Sequence, residues 1–275
     1  MNFQEFPWVV NLSLLFAELP LLERPAAAKA AGFDRVEYWW PFGMTGRPER
    51  GEIDAFVSAI EQSGIELVAM NLFAGDMPVG ERGVLSHPER IEEFRDSVDI
   101  AMEVGSRLGT KLFNAPYGHR RPGLDHGEQD ALATENLAYA ANAVGRIGGV
   151  IMMEPVSGMP EYPVKTAKDA VDIIDRVTAA TGDNNLGFLL DQYHITNAGG
   201  DVFADIDTYG DRITHVQLAD TPNRGEPGSG SGDIRGVITA LLDRGYTGAF
   251  ALEYIPTTTT EESLNTWAGE VATWS

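Results

Sequence analysis

The chain has 275 residues, 43% of them hydrophobic, enough to bury one large core and close to the ordinary size of a single barrel domain. Its formal net charge of -21 opposes phosphate backbones and anionic lipid surfaces, so neither nucleic acid nor a membrane is an expected partner. It contains no cysteine, which excludes disulfides, thiolate metal sites and cysteine nucleophiles and leaves oxygen and imidazole as the available metal ligands.

Short, β-favouring apolar runs alternate with longer amphipathic segments, the pattern of parallel strands joined by helices. The first residues, Met1 to Val10, lack a cationic start followed by a long apolar stretch and do not read as a secretory signal. No apolar run approaches the roughly 20 residues needed to span a bilayer, so cytoplasmic residence is expected. Strands are predicted at Val9 to Phe16, Arg35 to Trp40, Glu66 to Phe73, Lys111 to Pro116, Val150 to Val156, Gly187 to Tyr193, Thr214 to Ala219 and Ala249 to Ile255. The clearest helix is Pro88 to Leu108, where Ile91, Phe94, Val98, Ala101 and Leu108 recur at helical spacing behind a proline. Ala167, Val171, Ile174 and Val177 repeat that spacing. Gly32, Gly64, Gly182 and Gly245 follow helical segments and precede strands, where a residue tolerant of positive φ closes a helix.

These repeats predict an α/β protein with a single (β/α)8 TIM barrel domain over residues 1–275. A doubly wound open sheet would need a phosphate-binding fingerprint after a strand, and neither G-x-G-x-x-G nor a Walker sequence follows any of them. The run Gly228 to Gly232 comes long after its strand and reads as a mobile loop.

Barrel enzymes carry their chemistry at the C-terminal strand ends. The last four strands end in Met152-Met153-Glu154-Pro155, Leu189-Leu190-Asp191, Val216-Gln217-Leu218 and Leu252-Glu253-Tyr254. Single acids at such positions often cap a helix or pair with an arginine. Oxygen-bearing side chains on four successive strands, each set in apolar sequence, point instead to a shared site. Burying three carboxylates together is costly unless a cation lies between them or some are protonated. An oxygen-rich set suits Mg or Mn.

His194 follows Asp191 by one turn of chain and is expected at the substrate. His215 alternates with Gln217 one layer deeper, where a hydrogen-bonded core histidine is commoner. His87, His119 and His126 are expected to be solvated, with His119 beside Arg120 and Arg121 as an outside candidate for anions. Arg224 could clamp a substrate carboxylate or pair with Glu226; Glu81 and Arg82 in Gly80-Glu81-Arg82-Gly83 present the same choice. Trp39 and Trp40 read either as a pocket wall or as core.

The segments Asn11-Leu12-Ser13, Gly32-Phe33 with Val36-Glu37-Tyr38, Asn71 with Ala74-Gly75-Asp76, Gly80-Glu81-Arg82-Gly83, Glu154-Pro155, Asp191 with Tyr193-His194, His215-Val216-Gln217 and Arg224-Gly225-Glu226-Pro227-Gly228 resemble the hydroxypyruvate isomerase family of the xylose isomerase-like barrels. The resemblance implies a metal held by Glu154, Asp191, Gln217 and Glu253, with Glu154 and Glu253 also exchanging substrate protons. It implies substrate contacts from His194 and Arg224, and Glu81 is the further candidate for substrate binding. Related ketose epimerases generally place a histidine where Gln217 stands, which argues for the isomerase branch. Two loops depart from the family pattern, Ser157 to Tyr162 and Gly232-Asp233-Ile234-Arg235, and both border the substrate.

The expected activity is therefore a metal-dependent aldose-ketose isomerisation of a small hydroxy-keto acid, hydroxypyruvate to tartronate semialdehyde, through an enediolate. A ketose C3-epimerase, a 2-oxo-tetronate isomerase and a non-catalytic sugar-binding barrel are the alternatives, and homo-oligomerisation is left open. Apurinic endonucleases share the barrel but need a metal cluster and a basic DNA face, which this acidic chain does not suggest.

Overall fold

The computed structural model describes residues 6–274. Residues 1–5 of the segment read for a secretory signal lie outside the described residues. The eight strands are β1 (Trp8–Asn11), β2 (Arg35–Tyr38), β3 (Glu66–Asn71), β4 (Leu112–Asn114), β5 (Val150–Met153), β6 (Leu186–Asp191), β7 (Ile213–Leu218) and β8 (Phe250–Leu252). They pair in parallel in chain order, and β8 returns to β1 through Trp8↔Phe250 and Val10↔Leu252, closing the barrel. Helices α1 (Arg24–Ala30), α2 (Arg50–Ser63), α3 (Ile91–Leu108), α4 (His126–Gly145), α5 (Ala167–Thr181), α6 (Gln192–Asn197), α7 (Val202–Tyr209), α8 (Ile234–Asp243) and α9 (Thr260–Ala272) lie between and after the strands. The fold is the expected (β/α)8 barrel. Among the described residues no helix is long and apolar enough to cross a membrane.

Helix boundaries follow from local chemistry. Thr166 caps α5 with its side chain on the Asp169 amide, and Asp169 reaches back to the cap, a reciprocal arrangement that satisfies donors the helix cannot. Gly64 and Gly182, with φ of 66° and 77°, end α2 and α5 in the left-handed conformation expected of them.

Strand alternation sorts the residues into two layers. Val10, Val36, Met70, Phe113, Ile151, Met153, Phe188, Leu190, Val216, Leu218, Phe250 and Leu252 join the apolar layer shared with the helices. The alternate residues form the barrel interior, where Ala69, Met152 and Leu189 make a separate apolar cluster. Continued towards the C-terminal strand ends, this inner set becomes polar: Asn11, Glu37, Asn114, Glu154, Asp191, His215, Gln217 and Glu253. Two register shifts adjust it, one between Val36 and Glu37 and one between Phe188 and Leu189. The second skips Thr214 and so sets Gln217, rather than Val216, opposite Asp191.

Several expectations need correction. The first strand ends at Asn11 and not Phe16, because Leu14 and Leu15 turn back to donate to the Asn11 carbonyl; the apolarity of Leu12, Leu15 and Phe16 reflects core packing. The ladder of the last strand stops at Leu252, and Ile255 instead donates to the Arg224 carbonyl at 2.7 Å. His87 is not solvated: it is buried, with its ring against the His119 carbonyl. The Gly228 to Gly232 run is not a loose loop. The amides of Thr221, Gly228, Gly230 and Gly232 all converge on the carboxylate of buried Asp220, at 2.7 to 3.0 Å.

Candidate functional site

At the C-terminal mouth of the barrel lies a cavity of about 580 Å³ whose lining includes Trp39, Asn71, Arg82, Glu154, Tyr193, His194, Arg224 and Glu253. Its floor is the polar end of the inner layer. Glu154 follows β5, Asp191 ends β6, Gln217 sits on β7 and Glu253 follows β8, so the four candidate ligands come from adjacent strands.

Glu253 is the most heavily held. Its Oε1 accepts hydrogen bonds from Trp39 Nε1 at 2.7 Å, Asn11 Nδ2 at 3.0 Å and Gln217 Nε2 at 3.1 Å, while its Oε2 meets the Arg224 guanidinium. Glu154 has one such donor, Asn114 Nδ2 at 2.7 Å to Oε2. Its other oxygen faces His194 Nε2 at 3.8 Å, and Asp191 Oδ2 lies 3.7 Å from the same nitrogen. Burial and the adjacent Asp191 charge push the Glu154 carboxyl up to about 8. Burial also raises Glu253, with the Arg224 charge acting against it.

Arg224 sits in the left-handed region at φ 57° and stacks over the Tyr193 ring, 5.4 Å from its centroid. Burial opposes its charge, but Glu253, Asp191 and Glu154 around it hold the guanidinium protonated. Its partners are Asp191, at 3.3 Å, and Glu253. The alternative partner, Glu226, is instead taken by the amide and hydroxyl of Thr257.

His194 is neutral, its basicity lowered to about 4 by burial, with Asp191 only partly compensating. The Ser157 amide donates to its Nδ1 at 3.1 Å, so Nδ1 carries a lone pair and Nε2 carries the proton. Glu154, Asp191 and His194 each offer an atom within 4.8 Å of the others, a group that can hold a metal ion. In this tautomer, however, His194 enters as an N–H donor and the oxygens are the better ligands.

The donor set fits a hard divalent cation. Glu154, Asp191 and Glu253 share one mouth with a single arginine between them. Gln217 donates through Nε2 to Glu37 at 2.8 Å and to Glu253, which leaves its buried Oε1 without a hydrogen-bond partner. An acceptor orphaned in this way costs free energy unless a ligand uses it.

Not every predicted residue reaches the cavity. Glu81 accepts the Asp76 amide at 2.7 Å and pairs with Arg90 at 3.3 Å, and it does not line the cavity; its neighbour Arg82 does. His119, Arg120 and Arg121 are engaged with the Gly80 carbonyl, Asp130 and Glu89. Trp39 lines the cavity, whereas Trp40 is packed in the core. His215 is the core histidine its depth suggested, 2.6 Å from Glu37.

Sequence reasoning from strand ends missed Glu37, Asn11, Asn114 and Ser157. Glu37 is the centre of the supporting network, accepting from Asn11 at 2.9 Å and Gln217 and meeting His215. An acid inside the apolar strand Val36-Glu37-Tyr38 was the available signal.

A family model described as Xylose isomerase-like TIM barrel matches residues 25–271. A protein of Streptomyces coelicolor named "Putative hydroxypyruvate isomerase" is 47% identical over 93% of this chain and 93% of its own. The hydroxypyruvate isomerase of Escherichia coli is 33% identical over 92% of this chain and 95% of its own. Among solved structures, one titled AP endonuclease, family 2, from Brucella melitensis superposes with a TM-score of 0.84 at 32% identity, covering 95% of this chain and 98% of that one. The closed barrel, the oxygen-rich mouth and these likenesses agree: the chain belongs to the xylose isomerase-like TIM barrel family and is an isomerase-type enzyme, similar to the hydroxypyruvate isomerases.

Proposed function

We propose that the protein interconverts hydroxypyruvate and tartronate semialdehyde in the cytoplasm, using one divalent metal, Mg or Mn. The observation that carries this reading is the placement of Glu154 and Glu253, both at the wall of one cavity, on either side of buried Asp191 and of Gln217 with its unpartnered oxygen. These four residues would hold the metal, which when bound supplies Lewis acidity to stabilise negative charge on substrate oxygens.

The reaction moves hydrogen from C3 to C2 of the acid. A carboxylate takes a proton from C3, the electron pair passes to the C2 carbonyl oxygen, and an enediolate results. Return of the proton to C2, with transfer of the C3 hydroxyl proton to the C2 oxygen, gives the aldehyde. Glu154 is the readier acceptor of the carbon-bound proton because one of its oxygens has no hydrogen-bond donor closer than His194. Glu253, saturated by Asn11, Trp39, Gln217 and Arg224, is suited to the opposite end of the transfer. The Nε2–H of His194 can donate to a substrate oxygen as charge develops there.

Proton NMR in deuterated water tests the proposal. Hydroxypyruvate incubated with the protein and Mn should take up deuterium at the carbon next to the carbonyl and yield the aldehyde, and a chelator should stop both. Absence of exchange with either metal would leave a sugar-binding barrel as the better account. A four-carbon 2-oxo acid is the second reading, favoured by a cavity of about 580 Å³, a volume ordinarily filled by ligands larger than three carbons. Reaction on DNA is the poorest fit, since the net charge of -21 repels the phosphate backbone.

A further inference from the structure

Among the described residues two arginines line the cavity, and they are in different states. Arg224 already has carboxylate partners in Asp191 and Glu253. Arg82 has none among the described residues; its Nη1 donates only to the carbonyls of Met77, at 3.1 Å, and Glu81, at 2.7 Å. A half-buried guanidinium has five N–H donors, so most of its capacity is unspent on the protein.

The surrounding loop is built to hold Arg82 in place. Glu81 turns away from the cavity to bind the Asp76 amide and Arg90. Gly83 donates to the Ala74 carbonyl at 2.7 Å, and the Arg82 carbonyl accepts from the Gly118 amide at 3.0 Å, which ties the loop after β3 to the loop after β4. The approach is so close that a Cβ on Gly83, at φ 116°, would sit 2.0 Å from the Pro116 carbonyl oxygen. A charged side chain fixed on such a loop, facing a cavity and lacking a counter-ion, is arranged for an anion from outside the chain.

We propose that Arg82 is the residue that recognises the substrate's carboxylate, so that the enzyme selects hydroxy-keto acids over neutral ketoses of the same length. This deepens the isomerase reading and rests on it for the identity of the reaction. Arg82 lines the same cavity as Glu154, His194 and Glu253, and burial with the nearby Arg224 charge holds it below the ordinary arginine range. A substrate carboxylate seated there would offset both the burial and the Arg224 charge. Arg224 remains with the protein's own carboxylates, a positioning role different from the clamp its place in the sequence suggested.

The test compares the wild-type protein, Arg82→Gln, Arg82→Lys and Arg224→Gln, each loaded with Mn. Two substrates are used: hydroxypyruvate, and dihydroxyacetone, which replaces its carboxylate by a hydroxymethyl group. Arg82→Gln should raise the KM for hydroxypyruvate about ten- to a hundredfold and leave dihydroxyacetone exchange within twofold; Arg82→Lys should recover part of the loss. Arg224→Gln should depress kcat for both. Equal losses for both substrates in Arg82→Gln, or an unchanged KM for the acid, would overturn the assignment. Calorimetric titration with D-glycerate separates the two hypotheses. If the wild-type protein turns over no hydroxypyruvate, the isomerase reading fails, while a tenfold or greater loss of glycerate affinity in Arg82→Gln still supports the carboxylate site and an unchanged affinity removes it.

Discussion

The two halves of the barrel contribute to one site in different ways. Glu154 follows β5, Asp191 ends β6 with His194 just beyond it, Gln217 lies on β7 and Glu253 follows β8; Glu154, His194 and Glu253 line the cavity, and buried Asp191 and Gln217 sit beside them. In the first half β1 supplies Asn11, β2 Glu37 with Trp39 just beyond it, and β4 Asn114, which hold those groups by hydrogen bonds. The C-terminal half therefore presents the reactive oxygens and the N-terminal half orients them. An array of buried acids is useful only if each is fixed against rotation and against its neighbours' repulsion, and the supporting half does this without adding ligands of its own.

The sharpest test of the division is to remove a proton acceptor from the presenting half. Glu154→Gln and Glu253→Gln keep shape and remove the base, and each should lower kcat about 10²- to 10⁴-fold. Steady-state rates with hydroxypyruvate and Mn measure it. Full activity in either variant would show that the carboxylate serves only to hold its neighbours.

A change in the supporting half should cost less. Glu37 accepts from Asn11 and Gln217 and meets His215, so Glu37→Gln leaves the ligands present but frees the Gln217 amide to turn over. Loss of such a support typically lowers metal affinity or activity about 10- to 100-fold. Titration with Mn, followed by kcat at saturating metal, distinguishes weakened binding from a misplaced base. An effect as large as that of Glu154→Gln would erase the distinction between the halves.

The two carboxylates of the presenting half also differ in proton affinity from ordinary acids, which gives a pH signature. Glu154 titrates at about 8 in the folded metal-free protein, raised from 4.5 by burial and Asp191. Between these values the folded state holds a proton the unfolded chain has released, so stability of the metal-free protein should fall as pH rises from about 4.5 to 8. A metal ion must displace that proton. Its apparent affinity should therefore rise at least about tenfold per pH unit towards pH 8, as calorimetry can follow, and Glu154→Gln should make the profile shallower, leaving the part due to Glu253.

This asymmetry explains what could be read from the sequence. Glu154, Asp191 and Glu253 were visible because each terminates an apolar run, where a charge has no packing role and needs a reason. The strand count followed from the same alternation. Glu37 obeys the same logic, yet it lies within a strand rather than at its end, and only the register shift beside it reveals that it faces inwards. Its partner His215 needs a second shift on β7 to meet it. Asn11 and Asn114 carry no charge, so nothing in composition separates them from turn residues. The choice between Glu81 and Arg82 depends on which neighbour turns towards the cavity, and that is set by contacts to Asp76, Arg90 and the loop after β4, all remote from the motif itself or absent from it.

The smallest expected effect concerns the loop that joins the halves at the rim. Asp220, two residues beyond β7, accepts four backbone amides, from Thr221, Gly228, Gly230 and Gly232, and so folds the segment that contains Arg224. A carboxylate accepts on both oxygens, whereas an amide turns an N–H group towards one pair of these donors. Asp220→Asn should thus lose about 2 kcal/mol, which for a chain of this size lowers Tm by about 4–8 °C. Arg224 keeps its contacts with Asp191, Glu253 and Tyr193, and its carbonyl still accepts from Ile255, so kcat should fall less than tenfold. Thermal melts and proteolysis of the 220–232 segment measure the first effect and steady-state kinetics the second. A large loss of kcat with an unchanged Tm would mean that the glycine loop acts on the substrate directly, and the rim would then belong with the presenting half rather than with the supports.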